Sequence, residues 1–191
     1  MKHKPFQNLK NLMNYCLLLP LVTFLILSPN EIIGKNLKLN KEKSKIEFAA
    51  EKLGKDKVEG TFNSVISEAS LSDSNQFISL KGDISTNSID TGSWMKNNHL
   101  KGKDFLNTSS YPSISFFCTS LDETTMNGQF TMKGKTSPIS FSLTKFEQLE
   151  NELRIEAHTR VQRLDYDSSE KKRLVKSTID VYLSVLFDDE N

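Results

Sequence analysis

The chain has 191 residues, 37% of them hydrophobic, and its 25 basic and 24 acidic side chains give a net charge of +1. This length suits one domain with an appendage, and two full domains are not expected. A nearly neutral chain lacks the one-sided basic surface that a phosphate backbone requires, so nucleic-acid binding is not predicted.

The first 34 residues predict a targeting segment. Lys2, Lys4 and Lys10 precede an uncharged apolar run from Tyr15 to Leu27. A basic start followed by about 13 apolar residues is typical of a secretory signal, because a helix needs ~20 such residues to cross a bilayer. We therefore expect the protein to be periplasmic or secreted, with an uncleaved membrane anchor as the less favoured alternative.

The rest of the chain divides into a linker and a folded domain. Residues 35–44 are rich in lysine and are interpreted as a solvated linker, with proximity to a membrane surface as an alternative. Residues 45–191 form the predicted domain. Once Cys16 is assigned to the N-terminal segment, Cys118 has no partner for an internal disulfide, and its apolar neighbours predict a buried thiol.

From residue 45 onward, apolar and polar residues alternate as they do in half-buried β-strands. Asn127-Gly128 predicts a hairpin turn, and residues 134–138 predict a second reversal. Each run has one apolar face, so we expect a single antiparallel sheet closed into a barrel of about eight strands. The alternating apolar positions include Ile46, Phe48 and Ala50; Val58, Gly60 and Phe62; Ile78, Leu80, Gly82 and Ile84; Ile114, Phe116 and Cys118; Phe130 and Met132; Ile139, Phe141 and Leu143; Leu153 to Val161; and Ile179 to Phe187.

The interior of such a barrel is either filled with side chains or able to hold one small apolar ligand. Small residues such as Ala50, Gly60 and Gly82 recur on the predicted inner faces. They mark barrel corners or places where another group approaches the backbone, and the sequence leaves both interpretations open. From alternation alone, the predicted lining residues are Phe48, Phe62, Ile84, Phe116, Phe130, Phe141 and Val181.

The segment from Ser85 to Phe116 is too long for a simple turn. Asp90 and Thr91 are predicted to cap the backbone that follows. The sequence then favours about two turns of helix, from near Ser93 to near Gly102. This helical connection is predicted to form a lid over one end of the barrel, with an apolar ridge and ligand contacts near the mouth. The ridge comprises Trp94, Met95, Leu100, Phe105 and Leu106, and the predicted contacts are Trp94, His99 and Phe105.

Several motifs along the chain resemble those of the YceI-like, polyisoprenoid-binding family and follow one another in the same order. They are SIDTG at residues 88–92, HLKGKDFL at 99–106, YPSISF at 111–116, VEGTF at 58–62, MKGKTSPISFSL at 132–143 and QRLDYD at 162–167. The chain has Lys96-Asn97 where the family usually has Arg-Asp, and Asp167 where the family usually has glycine. These departures concern polar positions near the mouth and leave the barrel pattern intact.

The resemblance implies an all-β, antiparallel, lipocalin-like barrel that binds a ligand with a long apolar tail in the cell envelope. Polyprenol, quinone and fatty-acyl lipids all remain open as ligands. The alternative is an envelope structural or interaction protein whose barrel is packed and empty of lipid. A homodimer, through a barrel edge or the Trp94 ridge, is a further alternative.

Catalytic and metal-binding patterns are absent from the sequence. After His3, the histidines are His99 and His158, and neither belongs to an H-x-x-x-H or C-x-x-C ligand pattern. The sequence contains no G-x-S-x-G motif and no glycine-rich phosphate loop. We therefore expect a non-enzymatic protein without a metal or cofactor, other than a bound isoprenoid, quinone or fatty-acyl lipid.

Overall fold

A computed structural model describes residues 35–52, 57–72, 76–166 and 175–189, and the predicted signal lies outside these residues. They form eleven strand segments, one 3₁₀ turn at Thr86–Ser88 and two short helices, α1 (Trp94–Lys101) and α2 (Arg163–Tyr166). The strand segments are β1 (Lys35–Leu39), β2 (Lys45–Lys52), β3 (Lys57–Phe62), β4 (Val65–Leu71), β5 (Phe77–Ser85), β6 (Ile89–Asp90), β7 (Ser113–Leu121), β8 (Thr125–Met132), β9 (Lys135–Gln148), β10 (Glu152–Gln162) and β11 (Val175–Asp188).

Eight of these segments close into an antiparallel barrel. Their order is β1-β4-β5-β7-β8-β9-β10-β11, and β11 pairs back onto β1 through Leu39 and Phe187. Closure pairs the backbone groups that an open sheet would expose at its edges. The predicted all-β, lipocalin-like barrel of about eight strands, with one short helical connection, is therefore confirmed.

Three barrel strands bend partway along their length. β1 leads into β2, β3 into β4, and β5 through the 3₁₀ turn into β6, so that one end of the wall continues as β11-β2-β3-β6. At the first bend, the Ser44 hydroxyl accepts a hydrogen bond from the Leu186 N–H at 3.0 Å. The Asn40 N–H donates to the Leu186 carbonyl at 2.8 Å. These bonds satisfy the polar groups of a fully buried residue where β11 changes partners.

The first strand corrects the predicted linker. Residues 35–39 form β1, which pairs with both β4 and β11, and its Leu37 and Leu39 are buried in the barrel. The strand is only five residues long, and its outward side chains gave the segment the composition of a solvated linker. The barrel thus includes β1, which lies before the predicted domain boundary at residue 45.

The predicted hairpin at Asn127-Gly128 is wrong. Both residues lie inside β8, opposite β7 and β9. The reversal occurs instead at residues 122–124, where an Asp122 carboxylate oxygen accepts hydrogen bonds from the N–H groups of Thr124 and Thr125 at 2.8 Å each. A short aspartate side chain can stabilise a turn in this way without glycine.

A second reversal is present, but it lies at residues 133–134 and overlaps the predicted range of 134–138 only at Gly134. Lys133 and Gly134, with φ of 52° and 74°, form a two-residue turn between Met132 and Lys135. Two successive positive φ values match the right-handed twist of the paired strands. The residues after Gly134 already belong to β9.

One predicted inward residue points outward. Ile78 is exposed, whereas its neighbour Phe77 packs against the core. The cause is a register shift in the pairing of β4 with β5 between Ser70 and Leu71. A one-residue shift exchanges the two faces of a strand.

The barrel is packed at one end, called here the base, and less filled at the other end, called the mouth. The base contains the turns at residues 122–124 and 149–151, and a continuous cluster of buried side chains fills it. The mouth is surrounded by α1, the turn at Lys133-Gly134 and α2. Smaller clusters pack around its walls, which leaves space between them.

Candidate functional site

An apolar cavity of about 450 Å³ lies inside the mouth. Its volume is within the range of about 300–1,000 Å³ that ligand pockets usually have. Seventeen of its 22 described lining residues are apolar, and they come from strands on all sides of the barrel as well as from the lid. Such a surface binds apolar groups by removing them from water.

A smaller space of about 80 Å³ continues toward the base. The two spaces share six lining residues, which are Ile46, Ile84, Ile114, Phe130, Phe141 and Val181. The T-shaped pair of Phe116 and Phe141, with ring centroids 5.3 Å apart, stands beside this continuation. The cavity therefore narrows toward the packed base, which suits an elongated apolar group.

The structure brings nine of the ten predicted site residues to these spaces. Phe116 lines only the smaller one. Trp94 lines neither, and 78% of its surface is exposed. Contact of these residues with a ligand stays a prediction. The eight that line the larger cavity are Phe48, Phe62, Ile84, His99, Phe105, Phe130, Phe141 and Val181.

The lid begins with α1, whose extent confirms the predicted helix from near Ser93 to near Gly102. Asn97 connects the helix to the preceding loop. Its side-chain oxygen accepts hydrogen bonds from the Thr91 N–H and hydroxyl at 2.8 Å each, and its amide donates to Asp90 at 3.1 Å. The Gly92 N–H and the Asn97 amide hold the pKa of Asp90 below its ordinary value. Asp90 and Thr91 therefore hold the lid through Asn97.

The predicted ridge is divided between two faces of the lid. Leu100, Phe105 and Leu106 line the cavity, and Leu100 and Leu106 pack against the clusters of the mouth. Trp94 and Met95 point away from it and are 78% and 75% exposed. The lid thus covers the cavity with its second half and presents apolar side chains to solvent with its first turn.

The polar residues of the lining are mostly cationic. Lys96 and His99 belong to α1, Lys133 to the β8–β9 turn and Arg163 to α2, whereas Glu47 is the one acidic residue among the described residues of the lining. Glu47 forms an ion pair with Lys45 at 2.7 Å. Arg163 is buried, with 8% of its surface exposed. This arrangement suits a ligand whose polar end carries oxygen acceptors or negative charge.

The sequence did not predict Lys133 and Arg163 as site residues. Lys133 occupies a turn with positive φ, which is uncommon for a residue other than glycine. Arg163 falls at the end of β10, where the alternation stops. The same lining includes Val58, Ile114, Val161 and Ile179. Alternation identified these four residues as inward positions, but it did not indicate that they line a cavity.

The remaining reactive side chains lie away from the cavity. Burial raises the pKa of the Cys118 thiol to about 11, and the thiol contacts the Ser120 carbonyl at 3.3 Å. His158 lies on the outer wall, 3.3 Å from Asp180 and stacked on Tyr182. Across the described ranges no group of three or more metal-ligating side chains occurs. No helix within those ranges has the length and apolar character needed to span a membrane.

Comparison with known proteins agrees with this architecture. Residues 37–187 match the YceI-like domain family. The chain is 29% identical over 123 residues to Protein YceI of Escherichia coli O157:H7 and to a UPF0312 protein of Yersinia pestis (strain Pestoides F). Each match covers 61% of this chain and 64% of the relative, so the chain spans less than two thirds of the length of these relatives.

Solved structures show the same fold at low sequence identity. Burkholderia cenocepacia BcnA is 18% identical with a TM-score of 0.67, covering 78% of this chain and 98% of that one. Campylobacter jejuni YCEI protein is 19% identical with a TM-score of 0.61, covering 73% and 89%. A polyisoprenoid binding domain from Saccharophagus degradans is 14% identical with a TM-score of 0.60, covering 81% and 98%.

Proposed function

Since the chain belongs to the YceI-like domain family, we propose that it is a non-enzymatic carrier of an isoprenoid or related long-chain lipid in the cell envelope. The observation that carries the proposal is the apolar cavity of about 450 Å³ beneath the lid. One fold neighbour is described as a polyisoprenoid binding domain, which supports the ligand class. Export rests on the basic and apolar pattern of the first 34 residues.

The free energy of binding would come from the tail. Each CH₂ group removed from water contributes about 0.8 kcal/mol, so a tail of about ten carbons supplies ~8 kcal/mol before the costs of ordering. The tail would lie between Phe130 and Val181 and reach toward Phe116. The polar end would stay near Lys133 and Arg163 at the mouth, where it can keep hydrogen bonds.

A packed envelope protein without a ligand is the alternative. The base fits that description, because its side chains leave only about 80 Å³ unfilled. The mouth does not fit it, because seventeen apolar residues surround an unfilled space there. A stable protein without a ligand would be expected to fill such a space, since interiors are usually close-packed.

The test compares substitutions of two neighbouring alanines. Ala50 lines the cavity, whereas Ala49, the adjacent residue of β2, lies on a groove of the outer wall. Ala50→Trp would place an indole ring in the space that the tail needs. We expect mass spectrometry of organic extracts from natively purified protein to show several-fold less lipid in this variant, while Ala49→Trp keeps the wild-type amount.

Ala50 is chosen so that a loss of lipid binding is not mistaken for a loss of folding. Phe141 also lines the cavity, but it is 3% exposed and belongs to the packed base, so a charged residue there would disrupt the core. Export of each variant is followed in the same cultures. Wild-type protein that yields no lipid, or an Ala50→Trp variant that retains the full amount, would contradict the carrier function.

A further inference from the structure

The first turn of the lid exposes two large apolar side chains side by side. Trp94 and Met95 are 78% and 75% exposed, and they directly precede Lys96, which lines the cavity. The other large exposed apolar residues of the described chain are not adjacent in sequence: Ile66, Ile78, Phe117 and Tyr182 lie on strands, Leu149 lies in a turn at the base and Leu164 lies in α2 at the mouth. Adjacent exposed apolar residues are a feature of interaction sites, whereas isolated ones are ordinary.

Charge is distributed unequally between the two ends of the barrel. The described segments around the mouth, residues 89–106, 133–135 and 163–166, contain six basic side chains and three acidic ones. At the base, residues 121–125, 149–152 and 188–189 contain six acidic side chains and no basic one. Among the described residues, Lys35 lies near the base and pairs with Asp189 at 2.7 Å. The protein is thus close to neutral overall, with a basic mouth and an acidic base.

An anionic lipid bilayer matches the mouth in both respects. Tryptophan is enriched at membrane interfaces because its ring is apolar and its N–H can remain hydrated. Lysines beside such a residue are attracted to the negative surface of a bilayer that contains anionic lipids. A protein partner would have to provide an acidic surface with an apolar pocket, whereas a bilayer provides both over its whole area.

We propose that the mouth of the barrel docks on an anionic lipid bilayer, with Trp94 and Met95 inserted at the interface and Lys101 and Lys103 facing the headgroups. The acidic base then faces away from the membrane. In this orientation the cavity opens toward the lipid phase, so a tail could enter beneath the lid without crossing water. Docking is a property of the outer surface and does not require that the cavity be occupied.

Trp94 is the only tryptophan of the chain, so its fluorescence reports on the lid alone. Full-length protein is mixed with vesicles of phosphatidylcholine, either pure or containing phosphatidylglycerol, with brominated acyl chains as quenchers. We expect Trp94 emission to shift to shorter wavelength and to be quenched only with phosphatidylglycerol. Quenching requires that the indole ring itself reach the acyl chains, and the charge variants described next carry the same N-terminal run as the wild type.

A pair of double variants with the same change in net charge tests the role of the lid lysines, one as the test and one as the control. Lys101→Glu with Lys103→Glu changes the lid, and Lys41→Glu with Lys43→Glu changes exposed residues at the bend between β1 and β2. One lysine near an anionic surface contributes about fivefold to partitioning, so the lid variant should bind at least about 25-fold more weakly. The bend variant should bind as the wild type does.

Three results would overturn the docking proposal. The first is an unchanged Trp94 spectrum with phosphatidylglycerol vesicles, and the second is an equal response of the two charge variants. The third is a spectrum that depends on protein concentration without vesicles, which would assign the face to a second copy of the chain. If lipid is extracted but any of these results is obtained, the docking proposal fails and the carrier function is unaffected. If the protein docks but yields no lipid, the carrier function fails and the docking proposal is supported.

Discussion

The ring of Phe116 lies against the backbone of Gly128 on the neighbouring strand. A Cβ atom on Gly128 would come within 2.5 Å of Cε2 of Phe116 and within 2.5 Å of the carbonyl oxygen of Phe117. Phe48 lies similarly against Gly60, where a Cβ atom would be 2.8 Å from its ring. Both phenylalanines line the interior spaces, so these glycines give room to aromatic rings inside the barrel.

Gly128→Ala is expected to lower the free energy of unfolding by about 1–3 kcal/mol, since the new methyl group forces strand β7 or its ring to move. Urea denaturation measures the loss. Gly82→Ala is the matched control, because its Cβ would meet chiefly the side chain of Ser67, with Oγ at 3.1 Å. It should cost less than about 1 kcal/mol. Equal losses in the two variants would refute the close contact with the Phe117 carbonyl.

Asn97→Asp is expected to destabilise the lid in a pH-dependent way. The new carboxylate would keep its bonds from Thr91 but would face Asp90, whose oxygen now accepts from the Asn97 amide. Two adjacent carboxylates raise the pKa of one member, so the destabilisation is present at neutral pH and is relieved as the pH falls through that raised pKa.

The wild-type protein should show the opposite trend. The lowered pKa of Asp90 means that its stabilising contribution is present above the unfolded-state pKa and is lost as the pH falls through the folded-state value. Unfolding curves from neutral to acidic pH compare the wild type with Asn97→Asp. The exposed neighbour Asn98→Asp serves as the control. A variant as stable as the control at neutral pH would argue against the role assigned to Asn97.

The Cys118 thiol is expected to resist alkylation in the folded protein at neutral pH. Burial raises its pKa to about 11, so little thiolate forms, and its surface is only 4% exposed. Maleimide labelling followed by peptide mass mapping separates Cys118 from Cys16 in the full chain. Labelling should become rapid in denaturant. A Ser120→Cys variant, at an exposed position of the same strand, provides the reactive reference, and labelling of Cys118 at that rate would rule out its burial.

Asp180→Asn is expected to change stability by about 1 kcal/mol or less, because exposed ion pairs on a surface contribute little. Asp180 accepts a hydrogen bond from Arg160 Nε at 2.9 Å, which is the main cause of its lowered pKa. This contribution is present above the unfolded-state pKa and is lost as the pH falls through the lower folded-state value. The difference between variant and wild type should therefore vanish at low pH and shrink at high salt. A difference that grows on acidification would reverse the assigned sign.

The sequence by itself determined the class of fold and most of the inner face. Alternation is a local property, because successive side chains of a strand point to opposite faces whatever the strand pairs with. It therefore identified Phe48, Phe62, Phe130 and Phe141 as inward residues. The local sequence also indicated the extent of α1, although the helix has no side-chain cap from Asp90 or Thr91. The ordered motifs indicated the family for the same reason, since each motif is read within a short segment.

Tertiary structure decided the features that depend on contacts between distant segments of the chain. The burial of Leu37 in β1 depends on pairing with β4 and β11, and the outward position of Ile78 depends on a register shift. The placement of Trp94 outside the cavity depends on how the lid is bonded to its loop through Asn97.

The cavity itself is the clearest example. Its volume is the difference between the space that the bent strands enclose and the space that their side chains fill. Alternation gives the identity of those side chains but neither the enclosed space nor the way that it is shared between base and mouth. Strand pairing and bending set both, which is why a packed base and a hollow mouth could be recognised only in three dimensions.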